Sequence, residues 1–330
     1  MRIDEFANGV MTVNLATLVR VLRRGPVDLR SRLKAAFEAI DPFDSGSAKS
    51  LPARLLSSIS PQIENSCGTV DKVSQLMLLF KYQDILRQNL LLPNLNEVEF
   101  KNFSQNREDG ILLFLFAILG TTNKRCVEMC AGDGIECNTS NLVINHNWDA
   151  LMFDGSAANV AKGRAFYSSR KDGLQWRTPK IVQSWLTAEN INNLIRDNGF
   201  EGEIDLLSLD MDGIDYWVWD ALECIQPRVV VLEYNQGLGS TRAVTIRNNP
   251  DFVLDWSRDP YYHGASLPAF IKLGRKKGYR LVGTEKTGVN AFFVRSDLAE
   301  TSLPEVPISK CSVWGVSESV WLENHDWVEV

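Results

Sequence analysis

The stretch Arg125–Gly134, Arg-Cys-Val-Glu-Met-Cys-Ala-Gly-Asp-Gly, constrains this chain more than any other. It reads as a short apolar strand that carries one acid, Glu128, near its end and runs straight into a glycine turn. Glycine has no Cβ, so a backbone at Gly132 and Gly134 can approach a ligand closely. A helix expected from about Ile135 would aim its free N–H groups back at whatever sits on the turn. Strand, glycine turn and helix form the first unit of a nucleotide-binding α/β sheet.

The chain downstream of Phe103 continues that grammar. Strands are expected at Cys126–Cys130, Ala150–Phe153, Lys180–Ser184, Ile204–Leu209 and Arg228–Leu232, with helices near 135–146, 156–165, 188–198 and 213–223 between them. The alternation predicts a doubly wound, mostly parallel sheet with helices on both faces. A helix at Ser266–Lys277 follows an irregular stretch, and the hairpin-like pair Tyr279–Gly283 and Asn290–Val294 would supply an antiparallel last strand. The first hundred residues differ in kind. Val13–Arg24, Leu29–Ile40 and Val70–Leu91 have helical spacing, broken at Gly25-Pro26 and Leu92-Pro93-Asn94. The expected organisation is an α-helical cap or interaction region over 1–100, an α/β domain over 101–300 and a tail packed on it over 301–330.

Charge and composition remove several classes of partner. A formal charge of −6 argues against a nucleic-acid backbone, which needs a basic face. The longest apolar run, Ile111–Leu119, is too short for a membrane span and reads as a buried helix. The N-terminus lacks the basic-then-apolar pattern of a secretion signal, and six cysteines without a C-x-x-C pair read as free thiols. A cytoplasmic protein is expected. Trp217 and Trp219 read as helix packing. Arg164, Arg170, Lys171, Arg177 and Lys180 form a local basic region, read as a solvated face.

Acids recur at the strand ends: Glu128, Asp154, Asp210 with Asp212, and Glu233. In an open α/β sheet those ends line the ligand crevice. Asp154 after the second strand is placed to accept hydrogen bonds from ribose hydroxyls, although Asp154 and Asp212 also suit helix capping. Two cofactors fit the scaffold. A nicotinamide dinucleotide wants a third glycine and seats a pyrophosphate on the turn. Here Asp133 occupies the turn and no third glycine follows on schedule. A negative residue suits the cationic sulfonium of S-adenosylmethionine better.

At this point the residues resemble a known family. Glu128-Met-Cys-Ala-Gly-Asp-Gly is similar to the E-x-G-x-G-x-G first motif of class I S-adenosylmethionine-dependent methyltransferases, with Cys130 where glycine usually stands. Ser104-Gln-Asn-Arg-Glu-Asp-Gly-Ile and Ile204-Asp-Leu-Leu-Ser-Leu-Asp-Met-Asp-Gly-Ile-Asp-Tyr-Trp resemble segments of the FkbM-type methyltransferases, as do Pro227–Asn235 and Gly288–Arg295. The resemblance spans about Phe103–Arg295. It implies a Rossmann-like methyltransferase sheet, with Gly132, Asp133 and Gly134 beside the methionine part of the cofactor and Glu128 anchoring it. Asp154 would take the ribose hydroxyls, Gly155 and Ser156 would lie by the adenine edge, and Asp210 and Asp212 would face the methyl group.

Methyl transfer to oxygen also needs a proton acceptor. His263, in the aromatic segment Tyr261-Tyr-His-Gly, and the acids Asp210, Asp212 and Glu233 are the candidates. Alternatively Asp210, Glu233 and Asn235 could hold a Mg²⁺ ion, but a metal-free site in which Asp210 orients the substrate is preferred. The reading is a methyltransferase acting on a hydroxyl of a sugar, glycan or small metabolite, its N-terminal helices covering the site or making a homodimer contact. The rivals are a nicotinamide-dependent oxidoreductase and a non-catalytic binding protein on the same fold.

Overall fold

A computed structural model describes residues 70–169, 178–312 and 325–330. The segments expected as helices at 13–24 and 29–40, the residues Arg170, Lys171 and Arg177, and residues 313–324 of the expected tail lie outside them. The described chain belongs to a compact unit running from Gly68 to Val330.

Among the described residues two α-helices precede the sheet, α1 (Lys72–Arg87) and α2 (Glu108–Leu119). There follow β1 (Arg125–Met129), α3 (Ser140–His146), β2 (Asp149–Asp154), α4 (Ala157–Ser168), β3 (Lys180–Gln183), α5 (Ile191–Asp197), β4 (Gly202–Leu209), α6 (Asp215–Ala221) and β5 (Ile225–Glu233). The chain ends with β6 (Val244–Thr245), α7 (Leu267–Lys276), β7 (Tyr279–Thr284), β8 (Asn290–Arg295) and β9 (Val328–Glu329). Seven strands form one sheet in the order β3-β2-β1-β4-β5-β8-β7. The first five are parallel, and β8 runs antiparallel between β5 and β7. This is the doubly wound, mostly parallel sheet with one antiparallel strand expected from the alternation. β6 and β9 pair separately.

The period-2 pattern of the strands divides the core in two. Val127, Met129, Leu151, Phe153, Leu207, Val230, Leu232 and Phe293 point to one face, where they pack with Ile191 and Ile195 of α5, Trp219 of α6 and Phe270 of α7. Cys126, Ala150, Met152, Leu206, Val229, Val231 and Phe292 point to the other, against α2, α3 and α4. Trp219 meets Phe270, Tyr279 and Phe293 edge-on or tilted, and the Trp217 indole donates to the Ile246 carbonyl, so both tryptophans are packing residues. Helix α2 is the apolar run expected to be buried. Its Gly110 lets the backbone near Val98 approach to where a Cβ would sit 2.1 Å from the Val98 oxygen. Helix α1 packs on α2 through Tyr82 and Phe114, 5.1 Å between ring centres, so the described part of the first hundred residues shares its core with the sheet.

A buried ion pair ties the entry of the sheet together. Asp205 in β4 accepts the backbone N–H groups of Thr122, Asn123 and Lys124 as well as Nη1 of Arg228 in β5, and Arg228 Nη2 donates to the Leu119 carbonyl at the end of α2. Removing one partner leaves a buried charge and several N–H groups unpaired. Asp205→Ala is therefore expected to lower the unfolding free energy by roughly 3–5 kcal/mol, seen as a lower denaturant midpoint at unchanged slope.

Candidate active site

The sheet order reverses between β1 and β4, and a cavity of about 350 Å³ opens there at the carboxyl ends of the strands. An open α/β sheet binds ligands at such a switch point. Met129, Cys130 and Gly132 come from the end of β1, Asp154 from β2, and Asp210, Met211 and Asp212 from β4. Gln105 and Glu108 of the α2 entry and Asn290 of β8 close the wall.

Glu128 organises the floor. Its carboxylate accepts the N–H groups of Asn138 at 2.8 Å and Thr139 at 2.9 Å, the Thr139 hydroxyl and the Ser208 hydroxyl of β4 at 3.0 Å. The expected helix does not start at Ile135: residues 130–139 turn first, and α3 begins at Ser140 because Glu128 captures the N–H groups ahead of it. Glu128 itself lines the cavity, and these four contacts with protein groups hold its carboxylate in place there. The consequence is chemical. A carboxylate already occupies the anion-binding end of α3, where a dinucleotide would place its pyrophosphate.

The glycine turn is also oriented differently from the expectation. Cys130 adopts φ 55°, the left-handed conformation that glycine would supply, and Gly132 follows at φ 58° on the cavity wall. Asp133 points elsewhere. Its carboxylate pairs with Lys162 of α4 and accepts the Ile135 N–H; against the partial burial that would raise it, these contacts hold it below the usual carboxylate range. Gly134 faces the sheet, with a Cβ position 3.1 Å from the Met152 sulfur. Both stand off the cavity wall because α4 presses on the turn: a Cβ on Gly163 would lie 2.3 Å from the Asp133 oxygen. Asp133 thus lends no charge to the cavity.

Asp154, 8% exposed, accepts the Ser156 N–H at 2.8 Å and Nδ2 of Asn159 at 3.2 Å, both on Oδ1. Among the described residues Oδ2 keeps its lone pairs for a ligand. Ser156, not Asp154, caps α4 by accepting the Asn159 N–H, and Gly155 lies against the Trp185 ring. Neither Gly155 nor Ser156 is among the residues that line the cavity.

The far wall gathers acids. Asp215, buried at the start of α6, accepts the N–H groups of Met211 and Gly213 and so bends the loop that carries Asp212 at φ 53°. Burial pushes Asp215 up to about 6. Burial first, then the charges of Asp215 and Asp212, push Asp210 up to about 8, and it shares a hydrogen bond with Glu233, itself raised by burial and by Asp210. Asp212 is raised by burial and drawn back by His263, whose ring is lowered by burial and drawn up by Asp212.

The trio Asp210, Glu233 and Asn235, weighed as the alternative to a metal-free site, does not come together as a ligand set. Asn235 Oδ1 accepts the Gly237 N–H, and its Nδ2 donates to the carbonyls of Tyr261 and His263, so its side chain is spent on the loop. The set that converges is Asp212, Glu233 and His263. Other residues that sequence reasoning left without a role are Glu108, Asp109 and Asn290. Asp109 accepts three consecutive N–H groups, from Asn102 to Ser104, with burial pushing it up to about 6; Glu108 accepts from Asn290 Nδ2 at 2.7 Å. Their signal was present in the Ser104–Ile111 and Gly288–Arg295 segments singled out for their resemblance. His146 is not part of the site: its Nε2 bonds the side chain of Gln75 in α1.

No family model and no curated protein sequence matches this chain. Solved structures with partial likeness include the glycopeptide N-methyltransferase MtfA complexed with S-adenosyl-L-methionine, 11% identical with a TM-score of 0.34, covering 53% of this chain and 81% of that one. Another is magnesium protoporphyrin IX methyltransferase (ChlM) from Synechocystis PCC 6803, 14% identical with a TM-score of 0.35, covering 57% and 77%. Likenesses this slight decide nothing about activity, which rests on the geometry of the site.

The raised carboxyl of Asp210 has a measurable consequence. A group whose folded pKa lies above its unfolded value stabilises the fold at low pH and loses that contribution as pH rises through the folded value. This part of the stability should fall as pH rises from 3.8, the ordinary aspartate value, toward about 8. Asp210→Asn is expected to flatten the fall. Denaturant midpoints at a series of pH values in metal-free buffer would show it, and equal slopes in variant and parent would contradict the assignment.

Proposed function

We propose that this chain is an S-adenosylmethionine-dependent methyltransferase of the kind the FkbM resemblance implies, transferring to a hydroxyl of a sugar, glycan or small metabolite. The observation that carries the reading is the cavity at the β1/β4 switch point, acidic on its far wall, with Asp154 presenting a free carboxylate oxygen at the end of β2. The residues fit the donor in three respects. Asp154 can accept from both ribose hydroxyls. Gly132 brings bare backbone to the wall, where the methionine part can lie close. Asp210 and Asp212 supply the negative field that a sulfonium needs.

When bound, the donor supplies a methyl group on a positively charged sulfur. The chain's part is to hold the acceptor oxygen in line with it at about 3 Å, and positioning of that kind lowers the barrier substantially. The acceptor oxygen forms the new bond to carbon as the carbon–sulfur bond breaks, and sulfur keeps the electron pair. Its proton must leave toward the groups that meet at the far wall, Asp210, Asp212 and His263. The exposed ring of Trp256 stands on that side, 6.2 Å from the His263 ring, and offers a face on which a sugar or ring acceptor can stack.

The nicotinamide alternative fails on Glu128 rather than on Asp133. Its carboxylate fills the helix end a pyrophosphate would need. A cytoplasmic setting is part of the same proposal, in keeping with cysteines that stand as free thiols among the described residues; no helix among the described residues is long and apolar enough to cross a membrane. A homodimer formed through the N-terminal helices is part of the same proposal.

Calorimetric titration of the full chain with S-adenosylmethionine tests the reading. Saturable binding is expected. Asp154→Ala should weaken it by roughly ten- to a hundredfold, the loss of charge-assisted hydrogen bonds of about 1.5–3 kcal/mol. Asp133→Asn should leave it unchanged, because Asp133 faces Lys162. Folded protein that binds no S-adenosylmethionine would end the proposal.

A further inference from the structure

Three metal-ligating side chains from three separate segments meet beside the cavity. Asp212 follows β4, Glu233 ends β5 and His263 lies in the loop ahead of α7, and one donor atom from each lies within 4.8 Å of the other two. Donors bonded to one ion at about 2.1 Å are at most about 4.2 Å apart. The set therefore needs only a slight closure to share an ion.

The backbone fixes these donors before any ligand arrives. The Gly264 N–H donates to the Gly213 carbonyl at 3.0 Å, joining the loop of His263 to the loop of Asp212. Asn235, two residues beyond Glu233, donates from Nδ2 to the His263 carbonyl at 3.1 Å and from its backbone N–H to the Ala265 carbonyl at 2.9 Å. Asp215 clamps the turn between Met211 and Gly213. Each ligand-bearing segment is thus tied to another within a residue or two of the ligand itself.

Two further observations point to a cation. The Nδ1 of His263 is buried and has no hydrogen-bond partner among the described residues, a costly state for a ring nitrogen unless a ligand completes it. None of the ion pairs among the described residues involves Asp210, Asp212 or Glu233. The acids of the wall are left without a lysine or arginine, whereas Asp133, Asp205 and Asp220 each have one.

We propose that Asp212, Glu233 and His263 bind one divalent transition-metal cation at the acceptor end of the cavity. Two carboxylates and an imidazole are a donor set for Mn²⁺, Fe²⁺ or Zn²⁺ rather than for Mg²⁺, which prefers oxygen ligands alone. Asp212 lines the cavity, so a cation held there reaches a hydroxyl oxygen inside it. Coordination lowers the pKa of that hydroxyl, and because Asp212 and His263 are then engaged as ligands its proton leaves to water instead of to those side chains. This last step rests on the methyltransferase reading; the site itself does not.

Full-length protein titrated with MnCl₂, with free Mn²⁺ read by electron paramagnetic resonance, tests the proposal. A single saturable site is expected, weakened about tenfold or more by His263→Gln and by Glu233→Gln. Asp212→Asn, which keeps the shape of the side chain, gives the same loss in a variant whose thermal unfolding matches the parent. Absence of saturable binding up to millimolar Mn²⁺ would overturn the proposal, as would parent-like affinity in the three variants. S-adenosylmethionine binding without Mn²⁺ binding removes the cation and leaves the transferase. Mn²⁺ binding without S-adenosylmethionine binding does the reverse.

Discussion

The carboxylate of Glu128 holds the centre of this structure. It stands at the end of the first strand, buried, and reaches two ways: to the N–H groups that lead into α3 and to Ser208 on the neighbouring β4. The topological switch between β1 and β4 therefore stays open as a cleft whose floor is one hydrogen-bonded group. Two opposed demands meet there. A helix start wants a negative group, and a nucleotide site wants room for a ligand. By satisfying the helix from within, Glu128 leaves a cavity that no longer attracts a phosphate and is free to attract a cation.

The rest of the site extends that bias. Cations near the cavity are spent on structural pairs: Lys162 on Asp133, and Arg164 on the Ile181 carbonyl. The far wall leaves its acids without a lysine or arginine partner among the described residues, and burial strengthens the repulsion between like charges there because little water screens them. Strain of this kind persists only where the surrounding structure holds it. Here Asp215 and the Gly213–Gly264 hydrogen bond do so, linking loops after β4 and before α7 that are distant in the chain. Such a concentration of like charge at the carboxyl edge of a sheet is a functional signature rather than a stabilising one.

Most of the fold was legible because strands here obey a strict alternation. Val127 and Met129 against Cys126, or Leu151 and Phe153 against Ala150 and Met152, divide between two cores as period 2 requires. The helix starts were less legible. A helix was expected over the stretch 135–139 from the strand–turn–helix pattern, but Glu128 and Ser208 take up its backbone and side chains, and those lie 10 and 70 residues away from Asn138. The first hundred residues show the same limit: α1 reads as a separate helix, and its Tyr82 lands on Phe114 within the core of the sheet.

What the sequence by itself determined was the class of sheet, the position of the glycine turn and the row of acids at strand ends, because each depends on local pattern or on chain order. Which of those acids face the ligand was decided only in three dimensions. Asp133 turns away because Gly163 lets α4 press against the turn and Lys162 then captures the carboxylate. Asn235 is consumed by the carbonyls of Tyr261 and His263, and it is His263, from a loop 30 residues further on, that comes together with Glu233 and Asp212. Direction and convergence of side chains depend on contacts between residues far apart in the chain, and one-dimensional spacing does not encode them.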